Sequence, residues 1–303
     1  MKDAQAQVVP AVVAARSRNG FVDYVNLTKP RLNMLVVASS AAGYDLGVRG
    51  AVDPWSMAAA VIGTALVAGG AAVLNQVYER DTDAMMRRTR MRPLPDGRVT
   101  PGDAGMFGVA LSFAGLAMLA TRTNALAAVL ALATLVVYLV VYTPMKRRTS
   151  LATLVGAIPG ALPPLIGWTA SRGAIDAGGI ALFGIVFLWQ IPHFMAIAWL
   201  YRDDYGKAGF PMLPVIEPDG RRAGRQAALY AGTLLPVSLA PTLAGVSGSV
   251  YFAIAAVLGV ALAALSVRFA ADRTDASARA LFFGSITYLP LLWIAMIANK
   301  IAG

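Results

Sequence analysis

The stretch WSMAAAVIGTALVAGGAAVLNQVY, residues 55–78, carries no charge over 24 positions, and ERDTDAMMRRTRMRP, residues 79–93, follows it at once. A helix rising 1.5 Å per residue needs roughly 20 apolar residues to cross a hydrocarbon core about 30 Å thick. The first string is therefore long enough to span a bilayer, and the second is what emerges from it. Eight more apolar stretches with few or no charges lie outward from it, at residues 32–48, 104–120, 125–142, 151–170, 177–200, 227–246, 250–267 and 280–298. The 303 residues are 57% hydrophobic and 14% charged, against about 45–50% and 25% in soluble globular domains. This composition excludes a soluble single-domain enzyme. The pattern predicts an all-α integral membrane protein with nine transmembrane helices, residues 21–303 forming one polytopic domain and residues 1–20 a mobile cytoplasmic tail.

The net charge of +10 does not indicate nucleic acid, because the basic residues sit between spans and not on the face of a soluble element. Their distribution reads as topology. Of the 26 Lys and Arg, 22 fall on the side that holds the N-terminus, and only Arg49, Arg122, Arg172 and Lys300 fall on the other. By the positive-inside rule the N-terminus is cytoplasmic and the C-terminus outside. The absence of Cys removes disulfides, thiolate catalysis and Cys-ligated metals from consideration. Residues 1–20 place Arg16 and Arg18 last, the reverse of a cleavable signal.

Within a bilayer, polar side chains near span ends are costly unless they face a cavity or a partner. Asn75, Glu79 and Asp83 recur at a four-residue spacing, so on a helix they share one face, with Arg87 continuing the row. Oxygen donors without His or Cys suit a hard cation such as Mg²⁺, which bridges carboxylates to phosphates. Arg87, Arg88, Arg90 and Arg92 follow, and guanidinium groups fit phosphate oxygens bidentately. Metal-binding carboxylates beside phosphate-binding cations point to a diphosphate site. The plainer alternative pairs Glu79, Asp81 and Asp83 with neighbouring arginines on a solvated helix end, which leaves the deeper amide of Asn75 unexplained.

A second polar cluster closes the sixth span. It runs from Gln190, Pro192 and His193 to Asp203, Asp204 and Lys207. There Asp203 and Asp204 are candidates for a second metal, with Lys207 placed to meet phosphate; an anchoring basic turn is the alternative. Lys146, Arg147 and Arg148 form an acid-free third cluster that either completes a cationic wall or only fixes topology. Pro159, Pro163 and Pro164 kink the fifth span, and Gly156 and Gly160 permit close approach there, leaving an apolar cavity suited to a polyprenyl tail. The sole histidine, His193, reads either as a core imidazole bonded to a carbonyl or as a haem ligand or proton-transfer group. A carrier binding an anionic lipid between repeats is the competing class.

With these residues the chain resembles the UbiA superfamily of intramembrane prenyltransferases, and its haem branch in particular. The resemblance rests on residues 27–31, 75–93, 142–149, 156–168 and 192–209. Asn75, Glu79 and Asp83 match the superfamily's Asn-xxx-Asp-xxx-Asp pattern with Glu at the second position. The second Asp-xxx-Asp pattern is not met, since Lys207 stands four after Asp203. The resemblance implies a bundle around a central cavity, Mg²⁺ on Asn75, Glu79 and Asp83, farnesyl diphosphate held by Arg87, Arg92, Lys146, Arg147 and Lys207, and haem B contacted by His193. An aromatic quinone precursor is the alternative acceptor. The resemblance further implies partners among haem A synthase or terminal-oxidase assembly proteins, while the Ala- and Arg-rich composition and the short tail without a presequence favour a bacterial inner membrane over a mitochondrial one.

Overall fold

Proline and short polar side chains set where the helices begin. A computed structural model describes residues 20–301, so the predicted tail at residues 1–20 lies almost wholly outside the described residues. Nine long helices occur among the described residues: α1 (Pro30–Gly47), α2 (Pro54–Tyr78), α3 (Pro101–Arg122), α4 (Ala125–Met145), α5 (Ala152–Arg172), α6 (Ala177–Leu200), α7 (Arg221–Leu243), α8 (Ser249–Asp272) and α9 (Asp275–Ala298). The Asp53 carboxylate accepts from the amides of Trp55 and Ser56 ahead of α2, with Pro54 in the first turn. The Asn124 side chain accepts from Ala127 N at 2.9 Å and donates to Thr169 O at 2.7 Å, so one residue caps α4 and ties it to the end of α5. Such caps contribute about 1 kcal/mol each.

Seven of the nine, α2 to α6 with α8 and α9, are long and apolar enough to cross a membrane. The other two are more polar, with Arg31, Asn33 and Asp45 in α1 and with Gln226, two prolines and several hydroxyl residues in α7. The protein is thus an all-helical, multi-pass membrane protein. α4 runs on past the predicted end at residue 142 to Met145, through a wider π-helical turn at Val137–Tyr142. α5 runs unbroken through Pro159, Pro163 and Pro164.

Two apolar clusters hold the bundle. One joins residues of α5 and α6 to α7, α8 and α9, around Trp168, Ile185, Leu234, Phe269 and Leu292. The other joins α2, α3 and α4, around Val67, Leu119 and Ala131, to Tyr44, Leu162 and Ile166. α1 and α5 contribute to both, through Ala42 and Tyr44 and through Ala161 and Leu162. Glycine makes this central pairing possible. A Cβ on Gly43 of α1 would overlap the Pro164 carbonyl, and one on Gly167 of α5 would overlap the Ser40 carbonyl. The two backbones therefore touch reciprocally, the close packing that drives helix association in lipid, where the hydrophobic effect is absent.

Because the obstructing atoms at Gly43 are backbone, Gly43→Val should destabilise the protein by about 1–3 kcal/mol, the usual cost of overpacking. Gly232→Ala should not destabilise it, since its new methyl would meet nothing within 4 Å and Ala is the better helix former. Thermal unfolding in detergent measures both; equal midpoints for Gly43→Val and the parent would contradict the backbone contact.

Candidate active site

The mouth of the central cavity is assembled where α2, α4 and α6 end. The cavity is about 460 Å³ and is lined by residues of α1, α2, α4, α5 and α6 and of the connections after α2 and α6. α2 ends at Tyr78, Glu79 caps it, and a short helix follows at Arg80–Met85. The backbone nonetheless keeps its helical pitch, with Glu79 N donating to Asn75 O at 2.9 Å and Asp83 N to Glu79 O at 2.7 Å. Asn75, Glu79 and Asp83 therefore all line the cavity. The row stops there. Met86 turns extended (φ −97°, ψ 132°), and Arg87 is exposed and away from the cavity.

Each of these buried polar groups has a partner. Asn75, 1% exposed, donates to Thr143 Oγ1 at 3.1 Å and accepts from the Tyr138 hydroxyl at 3.4 Å. Thr143 in turn donates to Tyr138 O at 2.7 Å, across the π-helical turn of α4. Single π turns recur at functional sites because they re-aim side chains, and this one brings Tyr138 and Tyr142 to the cavity wall. Glu79 accepts from Lys146 Nζ at 3.0 and 3.3 Å, and Asp83 accepts from Arg92 at 2.6 Å. Lys146 also lies 4.6 Å from the centre of the Tyr142 ring. Burial opposes the charge of Lys146, but Tyr142, Tyr138 and Glu79 outweigh it and hold its pKa above the usual lysine range.

Lys29 was assigned no role by motif and spacing, yet it lines the same cavity. It precedes Pro30 and adopts a left-handed conformation, φ 51° and ψ 56°, rare outside glycine. The turn is pinned by Asn33, whose amide donates to Thr28 O at 2.6 Å. Burial, and then the charges of Arg92 and Lys146, push the Lys29 pKa down to about 7. In the sequence it was one more charge on the basic side; only the turn reveals that it joins the constellation.

Deeper, the wall becomes apolar. The Gly156 and Gly160 pair admits side chains, not a neighbouring backbone: a Cβ on Gly156 would overlap the Tyr142 ring, and one on Gly160 the Gln190 amide oxygen. His193 lies inside α6 and lines the cavity, between Trp189 and Phe282 in stacked arrangements at 5.0 and 5.2 Å. Its Nδ1 is 2.8 Å from the Ser285 hydroxyl, which itself donates to Phe282 O at 2.7 Å. Serine has one proton to give, so the imidazole N–H is the donor in the first contact. The Nε2 lone pair is then left free. The partner is thus a hydroxyl, not a carbonyl.

The structure unites Asn75, Glu79, Asp83, Arg92, Lys146 and His193 around one cavity, and adds Lys29, Arg88 and Tyr138. Arg147 is exposed and, like Arg87, does not line it. Asp203 and Lys207 border a separate open groove of about 500 Å³ with Arg202 and Pro218, and Asp204 borders neither. The cause is local. The short helix Arg202–Lys207 is anchored by Arg202, which pairs with Asp275 at 3.0 Å, and it presents Tyr205 to the cavity. Asp81 pairs with Arg80 at 2.8 Å on the exposed side, as the plainer reading of that residue expects. Among the described residues no three His, Cys, Asp or Glu side chains form a metal cage. The available donors are two carboxylates and one amide oxygen, a set that fits a hard cation completing its shell with water and phosphate.

Comparison with known proteins agrees with this architecture. The profile of the UbiA prenyltransferase family matches residues 36–289. A relative from Solibacter usitatus (strain Ellin6076), named protoheme IX farnesyltransferase, is 46% identical over 287 residues, covering 92% of this chain and 98% of its own. Among solved structures, a digeranylgeranylglyceryl phosphate synthase superposes with a TM-score of 0.79 at 15% identity, over 93% of this chain and 99% of its own. A UbiA homologue from Archaeoglobus fulgidus bound to GPP and Mg²⁺ gives a TM-score of 0.67 at 17% identity, over 91% of this chain and 99% of its own.

The Lys29 environment has a measurable consequence. With its pKa pushed down to about 7, the amine is mostly neutral at pH 8, and an anion bound beside it favours the ammonium form. Pyrophosphate binding at pH 8 should therefore take up a proton and weaken as pH rises from 7 to 9. Calorimetry in buffers of different ionisation enthalpy reads the uptake. Lys29→Met should lower the net uptake, to which the pyrophosphate's own titration contributes in both proteins, and an unchanged net uptake in that variant would contradict the assignment.

Proposed function

The chain belongs to the UbiA prenyltransferase family, and from that footing we propose that it transfers a farnesyl group from farnesyl diphosphate to a vinyl group of haem B, giving haem O and diphosphate. The observation that carries this reading is the meeting of two paired carboxylates, four cations and a histidine with a free Nε2 on one cavity that is polar at its mouth and apolar at depth. The name of the Solibacter usitatus relative, 46% identical over nearly its full length, supports the same acceptor.

Asn75, Glu79 and Asp83 are the residues that would hold Mg²⁺, which supplies Lewis-acid charge to the leaving diphosphate when bound. Lys146 and Arg92 neutralise the two carboxylates. On substrate binding these cations, with Lys29 and Arg88, turn to the diphosphate oxygens. The C1–O bond of the farnesyl group then breaks, and diphosphate keeps the electron pair. Cations preorganised in a cavity stabilise that departing charge better than water, which must reorganise. The allylic cation left behind faces the Tyr138 and Tyr142 rings and is shielded from early capture by water. The vinyl group of haem adds its electron pair to C1. Water closes the resulting haem-side cation to a hydroxyl, and one proton is released. His193 is the residue that would hold the haem iron, through Nε2, and so orient the vinyl group toward the donor.

In the bilayer, α1 and α7 cross with the other seven helices, giving nine spans with the basic connections and the N-terminus in the cytoplasm. The setting is a bacterial inner membrane. Its product suits handover to haem A synthase or to terminal-oxidase assembly proteins.

Detergent-solubilised protein incubated with haem B, farnesyl diphosphate and Mg²⁺, with and without EDTA, tests the reading by mass analysis of extracted haem. A farnesylated, hydrated haem that forms only without EDTA is the expected result. Unmodified haem alongside a prenylated aromatic quinone precursor would overturn the acceptor, and no adduct with either would overturn the reaction.

A further inference from the structure

One helical stripe of α2 runs the full depth of the cavity. Thr64, Ala68, Ala71 and Asn75 follow one another at helical spacing, and all line it. From Asn75 to Thr64 is eleven residues, or about 16 Å along the axis at 1.5 Å per residue. α4 gives a matching depth, with Tyr142 at the mouth and Ala131 eleven residues below. α5 does so from Gly156 to Ile166, ten residues apart. Three helices therefore end their cavity-facing stripes at one level. The side chains there are packed: Thr64 is 3%, Ile166 1% and Ala131 0% exposed. The floor is fixed from behind. Thr64 donates to Ala60 O at 2.7 Å and accepts from Ser40 at 3.3 Å, and Ile166 belongs to the same apolar cluster as Tyr44 and Leu119.

An extended C15 prenyl chain spans this depth when its diphosphate sits at Asn75, Glu79 and Asp83. A C20 chain is one isoprene unit too long. We propose that Ile166, backed by Thr64 and Ala131, is the end-stop that sets the prenyl chain length at C15, while Ala68 and Ala71 keep the slot above it open. This deepens the reading of the cavity as a prenyl-diphosphate site and rests on it. Shape selection by an apolar pocket is worth about 10–200-fold for a single methylene, so a whole isoprene unit against a closed floor is strongly rejected.

The test is a competition. Wild type, Ile166→Ala and Ala68→Leu are each given haem B, Mg²⁺ and an equal mixture of geranyl, farnesyl and geranylgeranyl diphosphates, and the haem adducts are resolved by mass. Wild type should make the C15 adduct. Ile166→Ala should raise the C20 to C15 ratio by about tenfold or more, whereas Ala68→Leu, filling the slot one turn above the floor, should shift the product toward C10. A folded, active Ile166→Ala with the wild-type ratio would overturn the end-stop. Should that variant lack a thermal transition, Ala68→Leu decides, and an unchanged C10 to C15 ratio overturns the proposal. Wild type that makes no adduct with any donor overturns the underlying reading, and the end-stop with it.

Discussion

Two carboxylates almost out of contact with water, Glu79 at 8% and Asp83 at 1% exposed, have to be compensated, and the bundle is organised around how that is done. Removing one partner from a buried ion pair typically costs about 3–5 kcal/mol, because an uncompensated charge remains. Lys146 reaches Glu79 from the end of α4, and Arg92 reaches Asp83 from the loop after α2. Each pair therefore fixes a connection as well as a charge. The pairs are also exchangeable: a metal on the carboxylates and a diphosphate on the cations would satisfy the same four groups.

Depth separates the remaining tasks. Charge is confined to the mouth, where α2, α4 and α6 end and three loops supply cations. Below it small residues of α2 and the glycines of α5 leave an apolar slot, while α6 supplies His193 on another wall. The reciprocal glycine contact of α1 with α5 holds the two halves of the bundle together at the slot's back. Packing and chemistry thus use different faces of the same helices.

Much of this was legible in the sequence. Apolar strings of bilayer length with at most one charge located all nine long helices, and the four-residue spacing of Asn75, Glu79 and Asp83 placed them on one face. What spacing cannot carry is a change of direction. Arg87 fits the row by number but lies past the extended turn at Met86, and Asp203 and Lys207 sit on a short helix anchored by Arg202 to Asp275, 73 residues away in sequence. Lys29 was missed for the converse reason. Its position depends on a left-handed backbone turn pinned by Asn33, and a positive φ on lysine leaves no mark in composition. The partner of His193 likewise comes from α9, beyond the reach of any local pattern.

The central claim is that Glu79 and Asp83 bind metal jointly with the diphosphate, releasing Lys146 and Arg92 to the anion. The affinity for farnesyl diphosphate, measured by calorimetry in Mg²⁺ and in EDTA for wild type and for Asp83→Asn, addresses it without requiring turnover. The account predicts that Mg²⁺ tightens binding about tenfold or more in wild type and has little effect in the variant. The same gain from Mg²⁺ in both proteins would contradict it.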